Sequence, residues 1–186
     1  MEIAQDKTLY TLIIFSENLA GVLNQVTNVF TRRQVNIESL NVSASGVSGI
    51  HRYTITCMSD ENTVQKICKQ IEKKIDVVQA NYYTDDEVFI MEEALFKLST
   101  SKMLENREIS KIIRLHDGKI VEVNSTYSIV IKDGLTDEIV SMYYSLKEYD
   151  CVLQYVRSGR IAITKSRREE LNEFLDKREK ERIQLG

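Results

Sequence analysis

The sequence predicts an α+β fold made of two successive βαββαβ units. Two observations carry this prediction. Runs typical of strands alternate with runs whose apolar residues recur every three or four positions, as on one face of a helix. The same order of strand and helix signals then occurs a second time within the 186 residues, a length that fits two small domains.

The first strand and the first helix follow from their apolar residues. Residues 10–15 are apolar on both faces, which is typical of a central strand covered on both sides. The next segment has apolar residues at offsets that fall on one face of a helix. These residues are Val22, Leu23, Val26, Val29 and Phe30.

A hairpin, a second helix and a last strand complete the first unit. Residues 37–45 and 51–58 are the predicted hairpin strands, joined by a connection rich in Ser and Gly. Asp60 is the predicted N-cap of the helix, and residues 77–83 are the last strand. The apolar helix face is Val64, Ile67, Cys68, Ile71 and Ile75. This order predicts a ferredoxin-like sheet with two helices on one side.

The second half repeats the order. The predicted strands are residues 94–98, 120–123, 127–131 and 151–156, with an additional strand at 161–164. One predicted helix ends at Asp117-Gly118 and presents Ile109, Ile112, Ile113 and His116 on one face. The other presents Leu135, Ile139, Met142, Tyr143 and Leu146. The second unit is therefore also predicted to be ferredoxin-like.

A short acidic break at residues 84–87 contains no Gly, Ser or Pro and marks the predicted boundary. The predicted domains are therefore residues 1–84 and 85–186. From residue 165 onward, mixed charges with i,i+4 pairs such as Glu173 with Lys177 predict a charged C-terminal helix. Since the two signs alternate, we favour a solvated helix over an arm that binds nucleic acid.

The overall composition excludes several classes of function. A net charge of −3 gives no electrostatic reason to expect a nucleic-acid partner. The sequence has no run of 18 apolar residues and no signal-peptide pattern, so no membrane association is predicted. Three cysteines, far apart and in apolar surroundings, predict reduced core thiols in a cytoplasmic protein.

No catalytic or metal-binding pattern is present in the sequence. His51 falls in a predicted strand and His116 on an apolar helix face, where each is more typical of a structural histidine than of a base. Adjacent strand residues point to opposite faces, so the acidic pairs at 85–86 and 92–93 make poor acid–base couples. The sequence therefore predicts no catalytic residue and no metal site.

The junction of the first strand and the first helix is the most informative segment. It reads Ser16-Glu-Asn-Leu-Ala-Gly21-Val-Leu, and Arg32-Arg-Gln-Val-Asn36-Ile-Glu-Ser-Leu40 follows after the helix. One interpretation is structural, with Asn18 as an N-cap and Gly21 admitted for backbone reasons. The other is a site for a small carboxylate, which unpaired N–H groups at a helix N-terminus suit.

This segment resembles the ACT domain of acetolactate synthase regulatory (small) subunits, whose motif is roughly E-N-x-x-G-V-L followed by R-x-x-N-I-x-S-L. The resemblance covers most of the chain and implies a sensor of branched-chain amino acids, with valine as the first choice. It also implies an effector site formed by Asn18, Ala20, Gly21, Val22, Asn36 and Ile37. In related ACT proteins the loop of one chain meets the start of the second strand of another, which implies a homodimer.

The same resemblance implies a regulatory subunit that activates a catalytic large subunit of acetolactate synthase and confers feedback inhibition on it. Thiamine diphosphate, magnesium and flavin would then belong to the catalytic partner. An alternative is a free-standing ACT regulator of another enzyme or of a transcription factor. A third candidate is an RNA-binding protein, which needs stacking aromatic residues and a basic surface. The third strand offers only Tyr53 and the net charge is negative, so we favour this candidate least.

Overall fold

The computed structural model describes residues 7–166, Leu171, Leu175 and Asp176. The chain divides into two compact units, Met1–Phe89 with Ala162–Gly186, and Ile90–Ile161. Each unit has a sheet whose central strands are antiparallel, with helices packed on it. The predicted α+β fold of two ferredoxin-like units is confirmed. The functional division into residues 1–84 and 85–186 stays a prediction.

The first unit contains the six predicted elements in the predicted order. They are β1 Thr8–Glu17, α1 Val22–Arg32, β2 Ser39–Ala44, β3 Ile50–Ser59, α2 Glu61–Glu72 and β4 Val77–Tyr83. The strands are ordered β2-β3-β1-β4. The prediction that the first strand is central and covered on both faces is confirmed, because every residue from Tyr10 to Ser16 is buried.

The two helices of the first unit bury the faces that their periodicity predicts, with two exceptions. The Asp60 carboxylate caps α2 as predicted, accepting a hydrogen bond of 2.9 Å from the Thr63 N–H. Leu23 is 41% exposed, so the buried face of α1 is narrower than predicted. Ile75 was assigned to the buried face of α2 and is 98% exposed, because the helix ends at Glu72.

The second strand begins two residues later than predicted. α1 ends in a turn in which the Val35 N–H donates to the Phe30 carbonyl and Gln34 takes a φ of 54°. Such a turn is a common way to satisfy the last carbonyl groups of a helix. Here it occupies the residues just before Asn36. Asn36 and Ile37 therefore lie in the connection to β2, and the predicted start of the strand at this point is wrong.

The second unit follows the predicted order with one extra helix. The elements after β4 are β5 Val88–Ser99, α3 Thr100–Glu105, α4 Arg107–Leu115, β6 Lys119–Val123, β7 Tyr127–Gly134, α5 Thr136–Lys147, β8 Val152–Arg157 and β9 Ile161–Thr164. β5 enters the second unit at Ile90, and β9 leaves it after Ile161. The strands are ordered β6-β7-β5-β8, and β9 also pairs with β5. The short helix α3 was not predicted, and β5 is longer than residues 94–98.

α4 ends where the sequence predicts, but the backbone conformation of the turn that ends it differs from the prediction. Asp117, not Gly118, takes the left-handed conformation, with a φ of 55°. A Cβ at Gly118 would lie 2.9 Å from the Met142 Cε, so this glycine is needed for close packing. His116 follows the last residue of α4 and caps it.

The predicted charged C-terminal helix falls mostly outside the described residues. Leu171, Leu175 and Asp176 are helical, and Leu171 is buried. The predicted pairing of Glu173 with Lys177 lies outside the described part. No helix among the residues that the structure describes is long and apolar enough to cross a membrane.

Candidate functional site

The loop between β1 and α1 is held by its backbone. The Glu17 N–H donates to the Asp76 carbonyl at 2.8 Å, and the Asn18 N–H donates to the Gly49 carbonyl at 2.9 Å. Asn18, Ala20 and Gly21 are exposed, whereas Val22 is fully buried under the sheet. The loop is therefore anchored on both sides and still open to solvent at the start of α1.

Gly21 is the N-cap of α1 and adopts a left-handed conformation with a φ of 90°. L-residues other than Asn and Asp rarely adopt this region, which explains the glycine. No atom outside the adjoining residues lies within 4 Å of the position that a Cβ would take, so space is not the constraint. No side chain caps the helix, and the assignment of Asn18 as N-cap is therefore wrong.

The start of α1 leaves backbone donors unused. The Val22 N–H makes only a long bond of 3.4 Å to the Leu19 carbonyl. Within the described part of the chain, the N–H groups of Ala20, Gly21, Leu23 and Asn24 donate to no protein acceptor. Since they lie at the positive end of the helix dipole, they can receive a small anionic group such as a carboxylate.

The sequence did not reveal a carboxylate next to this loop. The Asp76 Oδ2 accepts a hydrogen bond of 3.3 Å from the Gln25 Nε2 on the first turn of α1. Asp76 is half-buried and precedes β4, far along the chain from the loop. Only the antiparallel pairing of β1 with β4 brings it here, so no local motif could have indicated it.

Asn36 and Ile37 lie at the other end of the first unit. Glu17, next to the loop, pairs with Ile50, whereas Ser39, three residues after Asn36, pairs with Thr56. These two positions on β3 are six residues apart, which corresponds to about 20 Å along a strand. The structure therefore groups Asn18, Ala20, Gly21 and Val22, and it separates Asn36 and Ile37 from them within one protomer.

The three cysteines are buried and free, as the sequence predicts. The pKa of the Cys57 thiol is raised to about 11 and the pKa of the Cys68 thiol to about 12, mainly because both thiols are buried. Burial also raises the pKa of Cys151, whose Sγ donates to the Leu146 carbonyl. Among the described residues, no three His, Cys, Asp or Glu side chains could hold a metal ion together.

A second polar cluster lies in the other unit, at the end of β8. Glu92 on β5 is buried, accepts a hydrogen bond of 2.7 Å from Thr136 and pairs with Arg157 at 3.3 Å. The Glu93 N–H donates to the Ser158 Oγ. Arg157-Ser158-Gly159 is thus a strand-ending turn that ties β8 and the start of α5 to β5.

Two family models match the chain. The family described as AHAS small subunit-like ACT domain matches residues 12–79. The family described as Small subunit of acetolactate synthase matches residues 91–166. The first match lies within the first unit, and the second covers the second unit from residue 91 and continues to residue 166.

Individual proteins match over most of the chain. The acetolactate synthase small subunit of Bacillus subtilis is 31% identical over 160 residues, which cover 86% of this chain and 91% of that protein. The one of Aquifex aeolicus is 31% identical over 84% of this chain and 82% of its own length. The crystal structure of the acetolactate synthase small subunit from Thermotoga maritima superposes with a TM-score of 0.77 at 25% identity, covering 86% of this chain and 99% of that one.

Proposed function

This chain belongs to the family of acetolactate synthase small subunits, and on that basis we propose that it regulates an acetolactate synthase. It binds a catalytic large subunit, raises its activity and transmits feedback inhibition by a branched-chain amino acid. The observation that carries the proposal is the match of both units, residues 12–79 and 91–166, to this family.

Within this proposal the chain itself carries no cofactor. The thiamine diphosphate, magnesium and flavin of the complex belong to the catalytic partner. Residues 1–84 sense the amino acid, and residues 85–186 form the second domain. Feedback then requires an amino acid that binds two states of the complex unequally, since a ligand shifts an equilibrium only by its difference in affinity.

The proposed effector site is shared between two copies of the chain. One protomer supplies Asn18, Ala20, Gly21 and Val22, and the other supplies Asn36 and Ile37. The support is the separation of these two groups within one protomer, about 20 Å along β3, which exceeds the length of an amino acid. A homodimer through the first unit is therefore part of the proposal.

The physical basis of recognition is simple. The effector carboxylate accepts hydrogen bonds from the unused N–H groups at the start of α1. The positive end of the helix dipole adds about 0.3–1 kcal/mol to this binding. The amides of Asn18 and Asn36 bind its charged groups. Valine is the proposed effector. Leucine and isoleucine differ from it by one methylene, worth about 0.8 kcal/mol, so the selectivity is modest.

Copurification and reconstitution test the proposal. The tagged chain, purified from its native cells, should bring down a catalytic acetolactate synthase subunit. Adding the chain to that subunit should raise acetolactate formation, and valine should reduce this increase in activity. The chain alone should form no acetolactate. If a different enzyme or a transcription factor is recovered, and the catalytic subunit neither binds nor responds, the chain is a free-standing ACT regulator and the proposal is wrong.

A further inference from the structure

The side chain of Lys132 on β7 is buried without a partner. It is 8% exposed, and within the described part of the chain its ammonium donates to no acceptor and forms no ion pair. Moving a cation out of water is costly unless the cation is paired, so an unpaired buried lysine needs a physical reason. A bound anion would supply one.

The Lys132 ammonium lies at the start of α5. A Cβ on Gly134, the residue before the N-cap Leu135, would lie 3.2 Å from the Lys132 Nζ and would also contact the Glu138 Oε2. Because Gly134 has no Cβ, the ammonium reaches the backbone at the point where β7 leads into the helix. A positive side chain and the positive end of a helix dipole therefore meet at one place.

The carboxylates nearest to this place are held by other donors. The Glu138 Oε2 accepts a hydrogen bond of 3.0 Å from the Leu135 N–H. Glu92 on β5 lies directly opposite Gly134 and pairs with Arg157 at 3.3 Å. Neither carboxylate forms an ion pair with Lys132, so the charge of this lysine is not cancelled within the unit.

The first turn of α5 adds backbone donors. Its N-cap is Leu135, whose side chain has no acceptor for them. Within the described residues the N–H groups of Thr136 and Asp137 donate to no acceptor, and the first helical bond is from the Ile139 N–H to the Leu135 carbonyl. Such a helix start, next to an unpaired lysine, suits a small anion.

A second buried donor lies on the same side of the sheet. The Tyr155 Oη is buried and has no hydrogen-bond partner among the described residues. Tyr155 pairs with Phe96, and both Arg157 and Lys132 pair with Ala94 two residues further along β5, so all of them face the helices. Burial raises the pKa of the Tyr155 phenol, and the nearby charge of Arg157 lowers it. This end of the unit thus holds two buried donors without acceptors.

The charges of this cluster favour an anion with a single negative charge. Three cations face two carboxylates, which leaves one positive charge. They are Lys132, Arg157, Arg160, Glu92 and Glu138. A monocarboxylate balances this charge. A phosphate dianion would leave an excess of negative charge beside the exposed Asp137, where like charges repel.

We propose that the start of α5 is a binding site for a small monocarboxylic acid, whose carboxylate bridges the Lys132 ammonium and the N–H groups of Thr136 and Asp137. Charge-assisted hydrogen bonds of this kind are about twice as strong as neutral ones. The site lies wholly within the second unit and does not depend on the proposed effector site at α1.

Amide NMR of the full chain, labelled with nitrogen-15, tests the site. Sodium acetate is added at constant ionic strength, with sodium chloride as the reference. The amide signals of Thr136 and Asp137 should move along a saturating curve, with half saturation below about 10 mM. Inorganic phosphate should need about a tenfold higher concentration for the same change.

Lys132→Met removes the charge and keeps a side chain of similar length. Acetate binding at α5 should weaken at least about tenfold. Without acetate the variant should melt no lower than the parent, because an unpaired buried cation has been removed. Lys119→Met, exposed on β6, is the matched control and should bind acetate like the parent. Gly134→Ala keeps the lysine, places a methyl group against its ammonium and should also weaken binding.

The same spectra separate this site from the start of α1. Gly21→Asp should remove any acetate response of the amides at residues 22–24 and leave those of Thr136 and Asp137 unchanged. The proposal is wrong if the α5 amides respond to acetate no more than to chloride, or if Lys132→Met binds acetate like the parent. It is also wrong if that variant melts below the parent, or if phosphate binds as tightly as acetate. None of these results bears on the catalytic subunit or on valine, so failure here is distinct from failure of the proposed function.

Discussion

Gly21 and Asn36 lie at opposite ends of α1. The helix starts directly after Gly21 and ends four residues before Asn36, and its 11 residues span about 16 Å. An amino acid is shorter than this separation. If both residues contact the effector, they belong to different protomers, and each effector site of a dimer combines the loop of one chain with Asn36 of the other.

Gly21→Asp should abolish binding of valine. The new carboxylate would lie at the unused N–H groups, and two like charges 4 Å apart repel by about 4 kcal/mol at an effective dielectric constant of 20. Gly21→Asn is the matched control, since both residues tolerate the left-handed backbone and differ in charge. By calorimetric titration, the Asn variant should bind valine at least about tenfold more tightly than the Asp variant. Equal binding by both variants and the parent would refute the site.

Asn36→Ala should weaken valine binding by about ten- to a hundredfold. It removes amide hydrogen bonds to a charged group, worth about 1–3 kcal/mol. Stability should hardly change, because Asn36 is exposed in a connection. Asn28→Ala, on the exposed side of α1, is the control and should bind like the parent. Inhibition curves of the reconstituted enzyme should shift by the same factor as the affinity.

The sequence predicted those features of the fold that depend on neighbouring residues. The burial of residues 10–15 follows from the spacing of apolar residues along the strand. The cap at Asp60 follows from the hydrogen-bonding chemistry of its side chain. The start of β2 was wrong because Gln34 takes a left-handed turn that no glycine indicates. Ile75 continues the helical period beyond the end of the helix. The place of Asp76 beside the loop depends on strand register, which one sequence does not contain.

Asp60 should make stability depend on pH in the acidic range. Its hydrogen bonds to Thr63 at the start of α2 hold the pKa of this carboxyl below its usual value near 3.9. A lowered pKa in the folded state stabilises the protein above the unfolded pKa, and this contribution is lost as pH falls through the folded pKa. Asp60→Asn keeps a capping oxygen without a charge. Thermal melts should therefore show the parent losing stability relative to Asp60→Asn below about pH 4.

Glu92→Gln should destabilise the second unit by about 1–3 kcal/mol. The carboxylate is buried, and the substitution removes the acceptor for Arg157 while retaining one oxygen for Thr136. Glu105→Gln, exposed at the end of α3, should change the free energy of unfolding by no more than about 0.5 kcal/mol. Chemical denaturation of both variants measures the difference. An unchanged midpoint for Glu92→Gln would show that the ion pair of Glu92 with Arg157 contributes nothing.

Mixing two defective variants gives the strictest test of a shared effector site. In a mixed dimer of Gly21→Asp and Asn36→Ala, one site combines both substitutions and the other has an unaltered loop and an unaltered Asn36. Equal amounts, allowed to exchange subunits, form about half mixed dimers, so about a quarter of all sites should bind valine with the parent affinity. Titration of the mixture measures this fraction, and each variant alone should show none. If the mixture gains no tight sites although mixed dimers form, Gly21 and Asn36 do not act on one effector across the dimer.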